Sequence, residues 1–254
     1  MFVPSRPMRA LSAAAIALGL ALGVGGAASA GSYAVEPSWF TLVPPVRNAT
    51  ITLTDLSSEP IRLEVTGLAW TENDNGVTRL TPSSDILVFP RLMTIPALGR
   101  QLVRAAVVGP LRPSEQAFRI VIEELPALAE IVHATDGARI SIRTRFTLPV
   151  YVEPVNPAPS SRIEDVAVRD GVLTFALLNT GNIHAAGSAL FVNGRDAGGR
   201  NVLSNEIGDW HVLVGERRVY TVDIGKNTCL RHLTISPSTG AVPPAQTVNV
   251  AACG

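Results

Sequence analysis

The sequence predicts an all-β protein made of two β-sandwiches, and three observations support this fold class. The first is a succession of short segments in which apolar and polar residues alternate, as they do along strands with one buried face. The second is that turn residues, such as Asn73-Asp74-Asn75-Gly76 and Asn193-Gly194, separate these segments. The third is that the pattern stops in a Pro-rich stretch and then starts again, with no amphipathic helix before the break.

The chain divides into four predicted parts. Residues 1–30 have a basic start, an apolar middle and a small-residue site, which indicates a secretory signal peptide cleaved after Ala30. Residues 31–154 form the first sandwich and residues 160–254 the second, and a Pro-rich hinge at 155–159 joins them. Since no later apolar run is long enough to cross a bilayer, we expect a protein outside the cytosol that does not insert into a membrane.

The composition argues against some partners and indicates a disulfide. The 254-residue chain has 21 Lys+Arg and 21 Asp+Glu, and without the two arginines of the signal peptide its net charge is about −2. This balance provides no basic field, so no nucleic-acid partner is expected. Cys229 and Cys253 are the only cysteines. In an oxidising compartment we expect them to pair, and two buried free thiols are the alternative.

The sequence carries no recognisable catalytic or metal-binding motif, so we predict no enzyme activity, no cofactor and no metal site. Glu123 and Glu124 are adjacent on a predicted strand, so they point to opposite faces and cannot share an acid–base site. Four histidines lie at spacings that do not fit a set of metal ligands, and we interpret them as surface or turn residues. These histidines are His133, His184, His211 and His232.

The most informative segment is the predicted strand at residues 139–152. Its even-numbered residues up to Leu148 are apolar or Thr, and its odd-numbered residues up to Thr147 are Arg, Ser or Thr, so one face is apolar and the other basic. Pro149 cannot donate to a ladder, which indicates an edge strand or an interruption at that point. Proteins normally cover or blunt a long apolar edge, so this edge is either a flaw or an interaction surface.

Several stretches carry a family resemblance that covers nearly all of the mature chain. In the first half they are residues 35–37, 42–44 and 49–60, Trp70 with residues 85–90, residues 99–104 with 115–120 and 123–126, and residues 145–152. In the second half they are residues 179–184 and 212–218. In this order and spacing, the stretches resemble the periplasmic chaperones of the chaperone–usher pilus pathway, and in particular its divergent, archaic branch.

The resemblance implies two immunoglobulin-like β-sandwiches in a boomerang arrangement, with a cleft that binds pilin subunits in the periplasm. Each subunit is an incomplete sandwich, and the chaperone lends it an edge strand, which is called donor-strand complementation. An outer-membrane usher then exchanges that strand for the next subunit. The implied partners are therefore pilin subunits and an usher, and a homodimer that caps its own edge stays an open alternative. The rival interpretations are a secreted immunoglobulin-like binding or adhesion module without chaperone activity and a secreted β-rich enzyme.

The resemblance also assigns a donor row to the central strand. The expected donor residues are Ile140, Ile142, Thr144 and Phe146, because alternate side chains of an added strand fill pockets in its partner. The alternative is that this face belongs to the core of the first sandwich, above all at Phe146. Residues 127–132 are an apolar stretch that either becomes ordered on subunit binding or is an ordinary connection.

Basic residues have expected roles as well. The resemblance implies that Arg145, and after it Arg143, anchor the subunit's C-terminal carboxylate, a ligand that suits a planar guanidinium. The alternative is that they only blunt the edge. The family's other anchor, an Arg in the first strand, is replaced here by Trp39. Arg104 and Glu115 match a buried charge pair that, in the family, helps to fix the angle between the two domains.

Overall fold

The structure of the protein is a computed structural model, and it describes residues 32–126, 142–226, 228–238 and 245–253. The predicted signal peptide, the apolar stretch 127–132 and Ile140 lie outside the described residues. Within them, no helix has the length and hydropathy needed to cross a bilayer.

Every regular element in the described part of the chain is a β-strand, which confirms the all-β prediction. The strands are β1 (Tyr33–Glu36), β2 (Phe40–Leu42), β3 (Asn48–Asp55), β4 (Ile61–Glu72), β5 (Thr78–Pro82), β6 (Ile86–Phe89), β7 (Leu92–Ile95), β8 (Arg100–Val107), β9 (Gln116–Glu124), β10 (Arg145–Val152), β11 (Ser161–Arg169), β12 (Val172–Asn179), β13 (Ala185–Arg195), β14 (Asn201–Val212), β15 (Arg217–Asp223), β16 (Cys229–Pro237) and β17 (Gln246–Cys253).

Strands β1 to β10 form two sheets that enclose one hydrophobic core. The first sheet has the order β1-β3-β8-β6, and the second has the order β2-β10-β9-β4-β5, with β7 also paired to β4. The alternation in the sequence explains the packing: along β3, Ile51 and Leu53 are fully buried, whereas Thr52 between them is only partly buried. The inward rows of the two sheets together form the core, as in other immunoglobulin-like sandwiches.

Strands β11 to β17 form a second sandwich with its own core. Its sheets have the orders β11-β12-β15 and β14-β13-β16-β17. Phe175, Leu190 and Trp210 are among the residues buried between these sheets. Among the described strands, none of the first sandwich pairs with one of the second, so the molecule consists of two immunoglobulin-like units.

Residues 153–160 join β10 to β11 and are hydrogen-bonded to the second sandwich. The N–H groups of Thr180 and Gly181 donate to Ser160 O at 3.0 and 2.9 Å, and Asn182 N–H donates to Ala158 O at 3.1 Å. A Cβ atom at Gly181 would contact this segment's backbone, with Ala158 O only 2.7 Å away. Glycine is therefore required at this close approach.

The last strand is tied to its neighbour at its C-terminal end. Cys229 begins β16, and Cys253 on β17 lies directly opposite it in the ladder. Cys229 is disulfide-bonded, and Cys253 is the only other cysteine in the chain. A bond between these neighbouring strands would keep the end of β17 on the sheet.

Candidate functional site: an open strand edge and the cleft beside it

Strand β10 is paired along its whole length on one side and along only part of it on the other. On one side it runs antiparallel to β9, from Arg145 opposite Glu123 to Val152 opposite Gln116. On the other side β2 runs parallel to it and pairs with residues 150–152 only. Within the described part of the chain, residues 145–149 therefore present an unpaired edge.

The inward row of β10 changes from buried to exposed along the chain. Leu148 is fully buried, and Phe146 is partly buried and packs against the first core. Ile142, four residues earlier on the same alternation, has 57% of its surface exposed. The change occurs because the neighbouring strand β9 ends at Glu124, opposite Thr144, so the row leaves its own sandwich there.

The structure separates the predicted donor residues. For Phe146 it favours the alternative that the sequence left open, because this ring packs against the core of the first sandwich. Ile142 is exposed, but it precedes the strand, which the structure describes from Arg145 and not from residue 139 as predicted. Thr144 is held at the start of the strand. Its N–H donates to Glu124 Oε2 at 3.0 Å, and its carbonyl accepts from Glu124 N–H at 3.0 Å.

Arg145, the predicted carboxylate anchor, already has an acidic partner. Its Nε lies 3.1 Å from Oε1 of Glu123, the residue directly opposite it in the ladder. Both side chains are largely exposed, so the pair contributes little to stability. A carboxylate that bound Arg145 would nevertheless have to compete with Glu123. Arg143, the second predicted anchor, is exposed just before the strand.

The structure does not bring Arg104 and Glu115 together, so the predicted charge pair is wrong. Arg104 is exposed on β8, opposite Thr50 in the first sheet. Glu115 precedes β9 in the other sheet, where its carboxylate is buried beside His184 of the second sandwich. The His184 N–H donates to Glu115 Oε1 at 3.1 Å, and the ring Nδ1 lies 2.8 Å from Oε2. Because an exposed guanidinium keeps its hydration, Arg104 needs no partner.

A second histidine makes an equivalent contact. His211 Nε2 lies 2.8 Å from Oε1 of Glu72, whose side chain is almost fully buried. His184 and His211 therefore link the two sandwiches, which corrects their interpretation as surface or turn residues. Neither contact has a local signal in the sequence, because the partners are 69 and 139 residues apart. In the described part of the chain, no three potential metal ligands come together.

Aromatic rings fill the space between the sandwiches. Trp70, Tyr151 and Leu213 form a buried cluster that is distinct from the two cores. The ring of His184 stacks on Tyr151 with the centroids 4.0 Å apart, and His211 lies 5.2 Å from Trp70. Burial raises the pKa of Tyr151 to about 12. Each histidine is thus packed between an aromatic ring and a carboxylate.

The turn between β4 and β5 adds a further contact between the sandwiches. The carboxylate of Asp74 lies 2.7 Å from Arg217 Nη1, and the Asp74 carbonyl accepts from Val219 N–H at 2.7 Å. Gly76 in the same turn has a φ of 73°, and a Cβ there would lie 2.7 Å from the guanidinium carbon of Arg218. The positive φ favours glycine at residue 76, and the guanidinium of Arg218 packs against the turn at that point.

A cleft of about 700 Å³ lies where the open edge of β10 meets these contacts. Aromatic and imidazole rings line it, among them the ring of Trp39, which is 60% exposed. The lining residues are Trp39, Thr41, Pro149, Tyr151, His184, Ala186, Gly187, Trp210 and His211.

Arg119 is a cation beside this cleft that the sequence analysis did not single out. It lies on β9 directly opposite Pro149, and its guanidinium carbon is 3.6 Å from the centre of the Trp70 ring. The side chain is half-buried, and burial lowers the pKa of its guanidinium. The available signal was the alternation of β9, which places Arg119 between buried Phe118 and Ile120 and so on the opposite face.

Sequence comparison and structure comparison give different results. No family model matches the chain, and no curated protein matches it in sequence. In contrast, the two-unit fold is that of solved chaperones of fimbrial and pilus assembly.

Three of these structures show the extent of the similarity. A chain of the CsuC–CsuE chaperone–tip adhesion subunit pre-assembly complex, from archaic chaperone–usher Csu pili of Acinetobacter baumannii, matches with a TM-score of 0.58 and 14% identity, over 85% of this chain and 97% of its own. The class 5 fimbriae chaperone CfaA matches with a TM-score of 0.58 and 11% identity, over 86% of this chain and 98% of its own. A chain of a chaperone–tip adhesin complex of CFA/I fimbriae matches with a TM-score of 0.60 and 12% identity, over 87% of this chain and 100% of its own.

Proposed function

We propose that the protein is a periplasmic chaperone of a chaperone–usher pathway. It keeps pilin subunits folded by donor-strand complementation, lending them the open edge of β10, and it delivers them to an outer-membrane usher. The observation that carries this proposal is the unpaired edge at residues 145–149, with exposed Ile142 continuing the inward row of the strand. The fold shared with solved pilus chaperones supports it.

The open edge can provide both affinity and selectivity for an incomplete sandwich. Backbone pairing along residues 145–149 would satisfy the edge of the guest, and alternate side chains would enter its core. Full burial of a large aliphatic side chain contributes about 1.5–3 kcal/mol. Ile142, and Ile140 by extension of the alternation, would therefore contribute roughly 3–6 kcal/mol before ordering costs.

Several features limit what the edge can pair with. Strand β2 covers residues 150–152, and Pro149 lacks a backbone donor. Arg143 and Arg145 add exposed positive charge along the remaining length. Charge, proline and a short open length are the devices by which edge strands avoid aggregation. The part of the edge that remains open is short, and this suits pairing with a strand that first binds and is later released.

Substitution of Ile142 by Asp tests the donor role, alone and together with Ile140→Asp. Because Ile142 is exposed, the variant is expected to fold as the wild type does, but to leave a co-expressed pilin subunit insoluble. The measurement is the soluble yield of that pilin subunit and its co-purification with the chaperone. Leu102→Asp is the matched control, because Leu102 is 55% exposed on β8 in the other sheet. Equal soluble yields from the two variants would refute the donor assignment.

A further inference from the structure

The outward face of the second sandwich carries hydrogen-bond donors that the proposed function does not use. Arg195 on β13 is directly opposite His232 on β16 in one ladder, and His232 is opposite Asn249 on β17 in the next. Residues directly opposite each other in antiparallel strands share a face of the sheet. All three are exposed, so they form a row across three strands that faces solvent.

An irregularity in β16 adds a second arginine to this row. The register of the ladder with β17 shifts between Leu230 and His232. At that point the alternation of β16 breaks, so that Arg231 and His232 are both exposed between buried Leu230 and Leu233. Ladder irregularities of this kind re-aim side chains. As a result, Arg231 and His232 line one cavity of about 380 Å³. The other lining residues are Ala197, Asn249 and Val250.

The guanidinium groups beside this cavity are available to a ligand. In the described residues, neither Arg195 nor Arg231 takes part in a hydrogen bond or an ion pair. Asp196, which follows Arg195 in the chain, is already engaged, because its Oδ2 lies 2.7 Å from Arg200 Nη2 and its Oδ1 accepts from Gly198 N–H at 2.8 Å. An anion that entered the cavity would therefore not have to displace this carboxylate.

The hydrogen bond of His232 makes its second ring nitrogen depend on protonation. Nδ1 lies 2.9 Å from the side-chain oxygen of Asn249, and an amide oxygen only accepts, so Nδ1 is the donor. In the neutral ring Nε2 then carries no proton, whereas in the charged ring Nε2 donates as well. The ring can therefore donate to a ligand in the cavity only when it is protonated.

Charged groups of neighbouring elements surround the ring of His232. Arg231 precedes it on β16, Arg195 faces it from β13, and the Asp196–Arg200 pair belongs to the β13–β14 turn, whereas β17 has no charged side chain. The two unpaired arginines disfavour a charge on the ring, and a bound anion favours it. Anion binding and protonation of His232 therefore support each other, in the range between about pH 5 and 8 where histidine changes charge.

A phosphate group matches this set of donors. The two guanidiniums provide two positive charges, and the protonated ring adds a third. A phosphate monoester has a charge of about −1.5 to −2 at pH 7 and three strong acceptor oxygens. Arginine recognises phosphate through paired N–H donors. The cavity of about 380 Å³ has room for the phosphate and for part of the group that carries it.

We propose that this face of the second sandwich binds a phosphate monoester through Arg195, Arg231 and the protonated ring of His232, whose orientation Asn249 fixes. The site shares no lining residue with the cleft beside β10, and it does not depend on the proposed function. The phosphate belongs to a soluble ester or to a lipid headgroup, since both present the same chemical group.

Titration of the protein with inorganic phosphate, followed by heteronuclear NMR, tests the site. The backbone amide signals of Arg231, His232 and Asn249 are expected to shift together and to saturate. Arg231→Gln should weaken binding about tenfold, because a charge-assisted hydrogen bond is lost. The matched control is Arg169→Gln, since Arg169 is exposed on β11 in the other sheet of the same sandwich, and its affinity should equal that of the wild type. Unshifted signals at the three amides, or equal losses in the two variants, would overturn the inference.

Sulfate separates the protonation of His232 from that of the ligand, because the charge of sulfate is constant near neutral pH. The wild-type protein is expected to bind sulfate about fivefold more tightly at about pH 6 than at about pH 8. His232→Gln keeps a donor but does not titrate in this range, so its affinity should be the same at both pH values. Equal binding by the wild type at the two pH values would overturn the role of the protonated ring.

Vesicles of phosphatidylcholine, with and without phosphatidic acid, identify the source of the phosphate. Phosphatidic acid presents a phosphate monoester at the vesicle surface. Retention of the wild type on these vesicles that is lost in Arg231→Gln would support a lipid headgroup as the ligand. Any other pattern of retention, together with binding of inorganic phosphate, would support a soluble ester.

Discussion

At the scale of single residues, the contacts between the two sandwiches depend on carboxylates that are almost fully removed from water. The side chains of Glu115 and Glu72 each meet an imidazole ring from the other sandwich at 2.8 Å. Burying a carboxylate is costly unless charged hydrogen bonds compensate for the lost hydration. The two histidines therefore do more for stability than their partly exposed rings would indicate.

Replacing His184 by Ala should lower the free energy of unfolding by about 2–4 kcal/mol, because Glu115 would keep only a backbone donor. Urea unfolding followed by tryptophan fluorescence at neutral pH measures the effect. The control is His232→Ala, since His232 is exposed and its ring Nδ1 lies 2.9 Å from the side-chain oxygen of Asn249, which is not a charged group, and a change within about 0.5 kcal/mol is expected. Equal losses in the two variants would show that His184 does not stabilise Glu115.

At the scale of strands, the sequence predicts the strands inside a sheet, but it does not predict some of the edge strands. Strands β4, β9 and β12 each pair on both sides, and their buried faces produce the alternation that the sequence shows. The edge strand β5 has no fully buried residue, and in the first eight residues of β14 only Leu203 and Ile207 are even partly buried. An edge strand with few buried residues lacks the alternating apolar row from which a strand is predicted.

The same distinction applies to the candidate site. The open edge of β10 could be predicted, because its alternation and Pro149 are local features of the chain. The contacts of Arg119 and the two histidines could not be predicted, because they depend on rings and carboxylates that other strands supply. His211 and Glu72, for example, are 139 residues apart. The predicted Arg104–Glu115 pair failed for a related reason, since the sequence does not say which sheet each residue joins.

The segment between the sandwiches allows a prediction about stability. Gly181→Ala should destabilise the protein by about 1–3 kcal/mol, because a Cβ would contact Ser160 N and lie 2.7 Å from Ala158 O. These backbone atoms are held by hydrogen bonds and cannot move aside without breaking them. Thermal unfolding measures the loss. Gly208→Ala is the control, because a Cβ there has nothing within 4 Å, and it should shift the midpoint little.

At the scale of the whole molecule, the three tyrosines report on three separate packed regions. Tyr33 packs against the first core, Tyr151 lies between the sandwiches and Tyr220 belongs to the second core. Burial raises the pKa of each from 10.0 to about 12. Because each phenol ionises less readily in the folded protein, the corresponding stability is complete below about pH 10 and is lost as the pH rises towards 12.

An alkaline titration followed by tyrosinate absorbance should therefore show almost no ionisation of the folded protein at about pH 10.5, where the urea-unfolded chain is more than half ionised. The unfolded chain is the internal control. Since the chain has three tyrosines, a third of the full amplitude appearing near pH 10 would mean that one of these regions is open to solvent in the folded protein.

The close packing of the β4–β5 turn on β15 bears on the energetics of capture. Asp74 and Gly76 contact β15, while Glu72 and Glu115 engage the two histidines, so the protein's own side chains join the two sandwiches. Under the proposed function, an incomplete subunit would therefore bear the cost of its own ordering, and not the cost of bringing the two sandwiches together. Preorganisation of this kind lowers the entropic cost of binding.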